Sequence, residues 1–420
     1  MPRNDLPEAE SPAPPRVLMR NRDYRAFIAV IIVASLSQTA QSVAVGWDIY
    51  ERTGSALALG WVGLAQFLPI GLFFLPAGQI ADRHERRGVM AASMALWAVA
   101  CAILIANSML GGSVFWMYLS LALTGFATLL NRASRDALLA SIVPSEHFAE
   151  AMAWNSSCYQ ISTVAGPALA GALIAATKSA TTVYMVQLVG ILVTIALIFR
   201  IRPGVAPSVN RARSWRDLFG GVHHVWHEKV VLGFVCIDLF AMLLGTATAL
   251  MPMFAKDVLH SGPQGLGLLS AAPAVGALSM ALLQGFRRPY RRAGPAFLIA
   301  IAIFGFAITV FGLSRSFWLS VAALIVAGAA DNIGVVIRQT LVQIYTPDAL
   351  RGRVSALNRM LISASNELGA LRAGACAAAF GPAATVVAGG VIILLVVAAG
   401  MRAFPMIVRI ERYDRRANKP

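Results

Sequence analysis

The sequence predicts an all-α integral membrane protein built as two pseudo-symmetric bundles of six transmembrane helices. Three observations carry that prediction: long apolar runs, a basic segment that divides them six from six, and a positional echo between the two sets. Of the 420 residues 58% are hydrophobic and 13% charged, and the mean hydropathy is +0.68. That is more apolar surface than one soluble core can bury.

A helix needs roughly 18 to 25 apolar residues to cross about 30 Å of hydrocarbon. Twelve runs meet that length, near 25–49, 57–80, 89–107, 113–135, 151–176, 181–200, 230–255, 264–286, 295–313, 317–340, 354–380 and 383–404, the fifth and eleventh diluted by polar residues. An even number places both termini on one side. Of the 35 Lys and Arg residues, Arg52, Lys178, Lys256 and Arg315 fall in the odd-numbered connections and Arg372 within a run; the others lie in the termini, the even connections and the adjoining helix ends. Both termini are therefore expected to be cytoplasmic, in a cell (plasma or inner) membrane. The tail before the first run has no apolar h-region, so that run is expected to serve as an uncleaved signal.

The formal charge of +15 has the same explanation, and no nucleic-acid partner is expected. Cys101, Cys158, Cys236 and Cys376 stand singly in apolar runs, which suggests neither a disulfide framework nor a zinc site. No metal and no cofactor is expected.

The segment from Ile201 to Glu228 opens with Pro203-Gly204 and Pro207, is basic, and separates six runs from six. The organisation read from this is a tail at 1–23, a bundle at 24–200, a linker at 201–228, a second bundle at 229–408 and a tail at 409–420. In the linker, Trp215, Leu218, Phe219, Val222, Val225 and Trp226 fall on one helical stripe, as in an amphipathic helix lying in the membrane interface. His223 and His227 are spaced i, i+4, and the interfacial reading is favoured over a metal pair.

The halves echo each other. At an offset of 203, Arg135 meets Arg338, Pro144 meets Pro347, Asn155 meets Asn358, and Gly166–Gly171 meets Gly369–Gly374. At 205, Gly60 meets Gly265, Gly71 meets Gly276, and Arg86-Arg87 meet Arg291-Arg292. The second copy of the first hairpin has Arg287 where the first has Asp82.

That hairpin, PAGQIADRHERRGVM from Pro76 to Met90, is a hydrophilic knot between two apolar runs. With the six-plus-six pattern and the basic linker, it resembles the major facilitator superfamily, whose signature there is G-x-x-x-D-[RK]-x-G-[RK]-[RK]. Gly78, Asp82, Arg83, Arg86 and Arg87 match it, while Glu85 replaces the later glycine and argues against a left-handed turn at that position. The stretches Thr346–Asn358, Ala137–Asn155 and the segment entering the seventh run are similar to the bacterial exporter branch that includes the enterobactin exporter and macrolide efflux proteins. The resemblance implies the major facilitator fold, with a cavity lined by the first, fourth, seventh and tenth helices. It also implies a cytoplasmic gate in which Asp82 meets the start of the eleventh helix at Arg351, Gly352 and Arg353, with Arg135 and Arg338 in the same charge network. Read from the residues alone, Arg135 and Arg338 are anchors near the helix ends that snorkel to the surface. Gly166, Pro167 and Gly171 are similar to the G-P-x-x-G-G signature of proton-coupled antiporters, and equally to a stretch that permits close packing and a kink.

An ionisable group near the bilayer centre costs about 2.5 kcal/mol or more and is a functional candidate. Three carboxylates qualify: Glu367 at the middle of the eleventh run, Asp331 in the tenth and Asp238 in the seventh, the last also readable as an interhelical hydrogen-bonding residue. A carboxyl sheltered from water favours its neutral form, the property a proton carrier uses. Glu367 is the first choice and Asp331 the second. Arg372 is the basic residue at similar depth, on a different helical face from Glu367. Gln38, Gln41, Asn131, Tyr159, Gln160 and Asn332 complete the candidate cavity wall, a lining suited to amphipathic small molecules.

The function expected is secondary active export of a small organic molecule, siderophore-like or drug-like, by alternating access with proton antiport, in a monomer. Uptake or facilitated diffusion is the alternative, and a scaffold or receptor fits less well because every connection on the far side is short. An enzyme is not expected, since neither H-E-x-x-H nor G-x-S-x-G occurs.

Overall fold

A computed structural model describes residues 18–202, 215–245, 248–286 and 290–410, and all regular structure among them is helical. The first half contains α1 (Arg22–Thr53), α2 (Ala56–Arg83), α3 (Arg86–Leu110), α4 (Val114–Ile142), α5 (Phe148–Thr177) and α6 (Thr181–Arg200). A linker helix, Trp215–His227, leads to α7 (Lys229–Gly245), α8 (Gly262–Phe286), α9 (Ala293–Leu313), α10 (Phe317–Tyr345), α11 (Arg351–Phe380) and α12 (Pro382–Ala403). Between α7 and α8 the chain continues as a 3-10 turn at Thr248–Leu250, a helical turn at Met251–Met253 carrying Pro252, and a π-helical turn at Phe254–Val258. The tails before Leu18 and after Ile410, and the Pro203, Gly204 and Pro207 opening of the linker, lie outside the described residues, as does Arg287.

The alternation of α1 to α12 defines two faces: the hairpin face, with the connection between α2 and α3, and the opposite face, with that between α1 and α2. Two turns on the opposite face are short and capped by side chains. Gly54 ends α1 in the left-handed region (φ 57°), and the Ser55 side chain then accepts from Ala58 N at the start of α2. Gly111 (φ 63°) and Ser113 play the same parts between α3 and α4.

Eleven helical segments among the described residues are long and apolar enough to cross a membrane. Of the twelve runs expected, α11 is the one not among them: its 30 residues include Arg351, Arg353, Arg359, Glu367 and Arg372. Its length matches its neighbours, and its polar residues are the reason it falls short.

Packing repeats between the halves. In the first, α1 lies on α5 and α6, α3 on α4 and α6, and α2 on α4; in the second, α7 lies on α11 and α12, α9 on α10 and α12, and α8 on α10. The halves meet where α2 crosses α11 and α5 crosses α8. Phe115 and Trp116 start α4 as an edge-to-face pair with ring centroids 5.9 Å apart, and Phe317 and Trp318 start α10 in the same way at 5.3 Å. Trp116 and Trp318 are exposed, the placement of an aromatic belt at a membrane interface.

The linker helix packs on α11 and α7. Val225 is buried against the protein while Val222 and Trp226 are exposed, so the predicted stripe divides between a protein-facing and an outward edge. The side chains of Trp215, Leu218 and Phe219 lie outside those described.

Candidate functional site

The two crossings between halves are tight on the opposite face. Near the end of α5, a Cβ added to Gly171 would stand 2.6 Å from Pro263 O and 2.8 Å from Gly267 Cα of α8. Near the end of α11, a Cβ on Gly374 would stand 2.6 Å from Ala56 O and 2.8 Å from Gly60 Cα of α2. Only glycine permits backbones this close.

Toward the hairpin face the same helices lose their cover. Burial on α2 ends at Gly63 among the described side chains, and on α8 it ends at Gly276. On α11 no residue is buried between Asn358 and Ser365. The halves are sealed at one face and parted toward the other, which is the shape of a cavity with a single mouth.

Several of the residues singled out from the sequence are partly exposed and bond within their own half. Gln38 of α1 donates to Thr128 Oγ1 of α4 at 3.4 Å, Asn131 of α4 donates to Ser93 Oγ of α3 at 3.3 Å, and Asn332 of α10 accepts from Gln284 of α8 at 3.4 Å. Tyr159 is exposed on α5, with Gln160 half-buried beside it. Gln41 is not on the expected cavity wall: it is 2% exposed inside the first half, where Trp97 Nε1 donates to its Oε1 at 2.9 Å and Gln187 Nε2 at 2.6 Å. An amide inside an apolar bundle goes where partners are, and α3 and α6 supply them.

Glu367 sits over α2, with its carboxylate against Gly63. It forms no hydrogen bond or ion pair with any described residue. Arg372 donates through Nε to Leu243 O of α7 at 3.0 Å. Gly166 and Gly171 serve two different contacts: a Cβ on Gly166 would stand 3.0 Å from Leu36 O of α1, within its own half, whereas Gly171 faces α8 across the seam. Pro167 lies between them and presents its carbonyl to Gly267.

Asp238, Arg338 and Asn358 come together. Arg338 Nε lies 3.4 Å from Asp238 Oδ1, and Arg338 Nη1 donates to Asn358 Oδ1 at 2.9 Å. The three join α7, α10 and α11, and Arg338 is only 2% exposed. This corrects the snorkelling expectation for Arg338: α10 runs on to Tyr345, so the guanidinium stands about two turns below the helix end and is neutralised where it is. Asp331, two turns earlier on α10, lies within electrostatic reach of both Asp238 and Arg338. Arg135 also stands well inside its helix, which ends at Ile142, with the exposed Asp136 at 3.8 Å as its only ion-pair partner among the described residues.

In the hairpin, Gly78, Asp82 and Arg83 belong to the last turns of α2, and their side chains lie outside those described. Glu85 has φ −57° and ψ 121°, so the two-residue connection His84-Glu85 turns without a left-handed residue. Arg87 is tied to its own half: Nη1 donates to Ile201 O at 3.1 Å, and the guanidinium stands 5.5 Å from the Phe199 ring centroid. Arg351 forms a local pair with Asp348 at 2.8 Å, Gly352 faces open space, and Arg353 stands near Gly220 of the linker helix. Among the described residues no group of three potential ligands is arranged for a metal.

Two polar clusters escaped the sequence reading. Asp48, 7% exposed, accepts from Arg52 Nε at 2.7 Å and from the Tyr184 hydroxyl at 3.1 Å. Its place at the very end of the first run hid it. On the opposite face the Tyr50 hydroxyl donates to Asp257, and Lys256 Nζ stands 5.8 Å from the Tyr50 ring centroid, so that α1 is linked to the π-helical turn of the other half.

Two helical bundles that seal at one face and part toward the other, with the carboxylate of Glu367 reaching from one half to the other, define a membrane transporter. The comparisons give its family: residues 27–370 match the Major Facilitator Superfamily, and the chain belongs to that superfamily. Relatives include the enterobactin exporter EntS of Escherichia coli O1:K1 / APEC, 25% identical over 86% of this chain and 87% of that one. The macrolide efflux protein A of Streptococcus pyogenes is 22% identical over 80% of this chain and 85% of that one. Among solved structures, the nucleoside transporter NupG superposes with a TM-score of 0.74 at 13% identity, covering 91% of this chain and 99% of its own. A bacterial homologue of the iron transporter ferroportin, solved in an inward-facing state, does so with a TM-score of 0.69 at 16% identity, covering 91% of this chain and 98% of its own.

Proposed function

We propose that this transporter exports a small organic molecule, siderophore-like or drug-like, across the inner membrane by alternating access with proton antiport. In this reading α11 is the twelfth span, both termini and the hairpin face are cytoplasmic, and the state described is open to the cytoplasm. The observation that carries it is the single-mouthed cavity with the unpartnered carboxylate of Glu367 at its sealed end. A membrane-embedded carboxylate that faces a cavity and has no fixed partner is suited to bind and release a proton. The names of the relatives, an exporter and an efflux protein, support the outward direction. Asp331 is the second candidate, while Asp238 is engaged with Arg338. Asp82, with the start of α11, is proposed as the gate that closes the cytoplasmic side in the other state.

The test uses inverted vesicles loaded with the purified transporter and a panel of siderophores, macrolides and dyes. A substrate should accumulate when a proton gradient is imposed and cease to do so with a protonophore. Glu367→Gln should abolish coupling, with Asp331→Asn the weaker variant. Undiminished gradient-driven uptake in both variants sinks the proton assignment.

A further inference from the structure

The seam between α2 and α11 is built in steps of about one helical turn. Gly374 closes on Ala56 and Gly60, Ala370 and Leu371 close on Gly60, and Glu367 closes on Gly63. Beyond that step α2 has no buried residue among its described side chains. The carboxylate stands where burial along this seam gives out. On α5, which forms the other seam with α8, the repeat position of Glu367 at the offset of 203 is Val164. The repeat thus sets a valine in one half against an acid in the other.

The seat is shaped for that acid. A Cβ added at Gly63 would collide with Glu367 Oε2, and Ala370 Cβ would be 3.4 Å from it on the other side. Among the described residues no charged group pairs with Glu367. Arg372 of α11 donates to Leu243 O, Asp238 of α7 faces Arg338, and α2 has no ionisable residue between Ala56 and Pro76. Lys229 at the start of α7 and Arg402 at the end of α12 stand at the hairpin-side ends of those helices. An ionised carboxylate pressed on bare backbone with no protein donor would forgo part of its hydration uncompensated, whereas the neutral carboxyl fits at lower cost.

We propose that Glu367 seats on Gly63 in its protonated form, that loss of the proton unseats it and releases the α2–α11 seam, and that Gly63 is thus the positioning residue of the proton carrier. This rests on the antiport reading and adds to it the step that joins proton to motion. Protonation from the opposite face closes that face, and release of the proton from the hairpin side permits it to reopen.

The test is a distance measurement between spin labels at Leu110 and Leu313, exposed ends of α3 and α9 on the opposite face of each half. In the wild type, acid should favour the closed distance and alkali the open one. Glu367→Gln should stay closed at both. Gly63→Ala should reduce the closed-to-open ratio in acid by roughly tenfold, equivalent to 1.4 kcal/mol, and combining it with Glu367→Ala should restore closure without any pH response. A wild-type pH response in Glu367→Gln, or wild-type distances in Gly63→Ala, overturns the proposal. Intact pH-dependent closure beside an absence of gradient-driven transport in vesicles would remove the antiport reading and leave the seat in place.

Discussion

Where α1, α3 and α6 meet, polar side chains join the first half: Gln41 accepts from Trp97 and Gln187, and Cys101 donates to Tyr184 O at 3.1 Å. Where their counterparts α7, α9 and α12 meet, glycines do the joining. A Cβ on Gly390 would stand 2.7 Å from Gly305 O, one on Gly389 would stand 3.0 Å from Gly245 O, and one on Gly400 would stand 2.6 Å from Ile237. Toward the hairpin face the roles reverse. There the second half has the buried Asp238, Arg338 and Asn358, while the repeat positions in the first are Ser35, Arg135 and Asn155, with no acid at the site of Asp238. The repeat therefore preserves where helices cross and not what holds them, as expected where lipid supplies no hydrophobic drive and either hydrogen bonds or close packing must serve.

The largest difference should appear at the arginines. Truncating one partner of a buried pair leaves an uncompensated charge, so Asp238→Asn or Arg338→Met should cost about 3–5 kcal/mol. Arg135→Met, which loses an exposed partner, should cost under about 1 kcal/mol. Unfolding in mixed detergent measures both, and equal losses would break the comparison. Next in size, Gly390→Leu should cost about 1–3 kcal/mol by overpacking, whereas Gln187→Leu removes the bond to Gln41 and the weaker one from Cys101 and should cost about 1 kcal/mol, at roughly 0.6 kcal/mol for the first. A Gln187→Leu variant as damaged as Gly390→Leu would mean the polar network matters more than lipid-phase hydrogen bonds usually do.

The link between halves is smaller still. Tyr50→Phe removes the hydroxyl from a partly exposed contact, where Asp257 can turn to water, and should favour opening of that face by about 1 kcal/mol, read from the same spin-label distances. Wild-type distances in Tyr50→Phe would show the contact to be incidental. Smallest of all, Ser35→Asp should give Arg135 the partner its counterpart has, with a coupling of about 0.5 kcal/mol in a double-mutant cycle with Arg135→Gln. A coupling of zero would mean that the repeat does not extend to the placement of these side chains.

The helical class was legible, because apolar length is a local property of a chain, and the spacing that sets Arg135 against Arg338 and Asn155 against Asn358 stands in the sequence itself. Which way a side chain faces was harder. A helix apolar on every side has no stripe to set its rotation, so Gln41 read as cavity wall and proved to be core. Tyr50 and Asp257 are 207 positions apart, and nothing local pairs them. Gly63 was unreadable for a related reason: a glycine in a membrane helix announces close approach, but only the fold says that a carboxylate makes it.

The glycine seams have a kinetic consequence. Two backbones that meet at Gly171 and Gly267, or at Gly60 and Gly374, have no rotamers to freeze on contact and none to free on parting. What holds them is dispersion between backbone atoms, about 0.1–0.2 kcal/mol for each atom pair, over a short length of helix. Such a surface can separate and rejoin many times without search or rearrangement, so the lifetime of the closed face is set by the few side chains that bridge it.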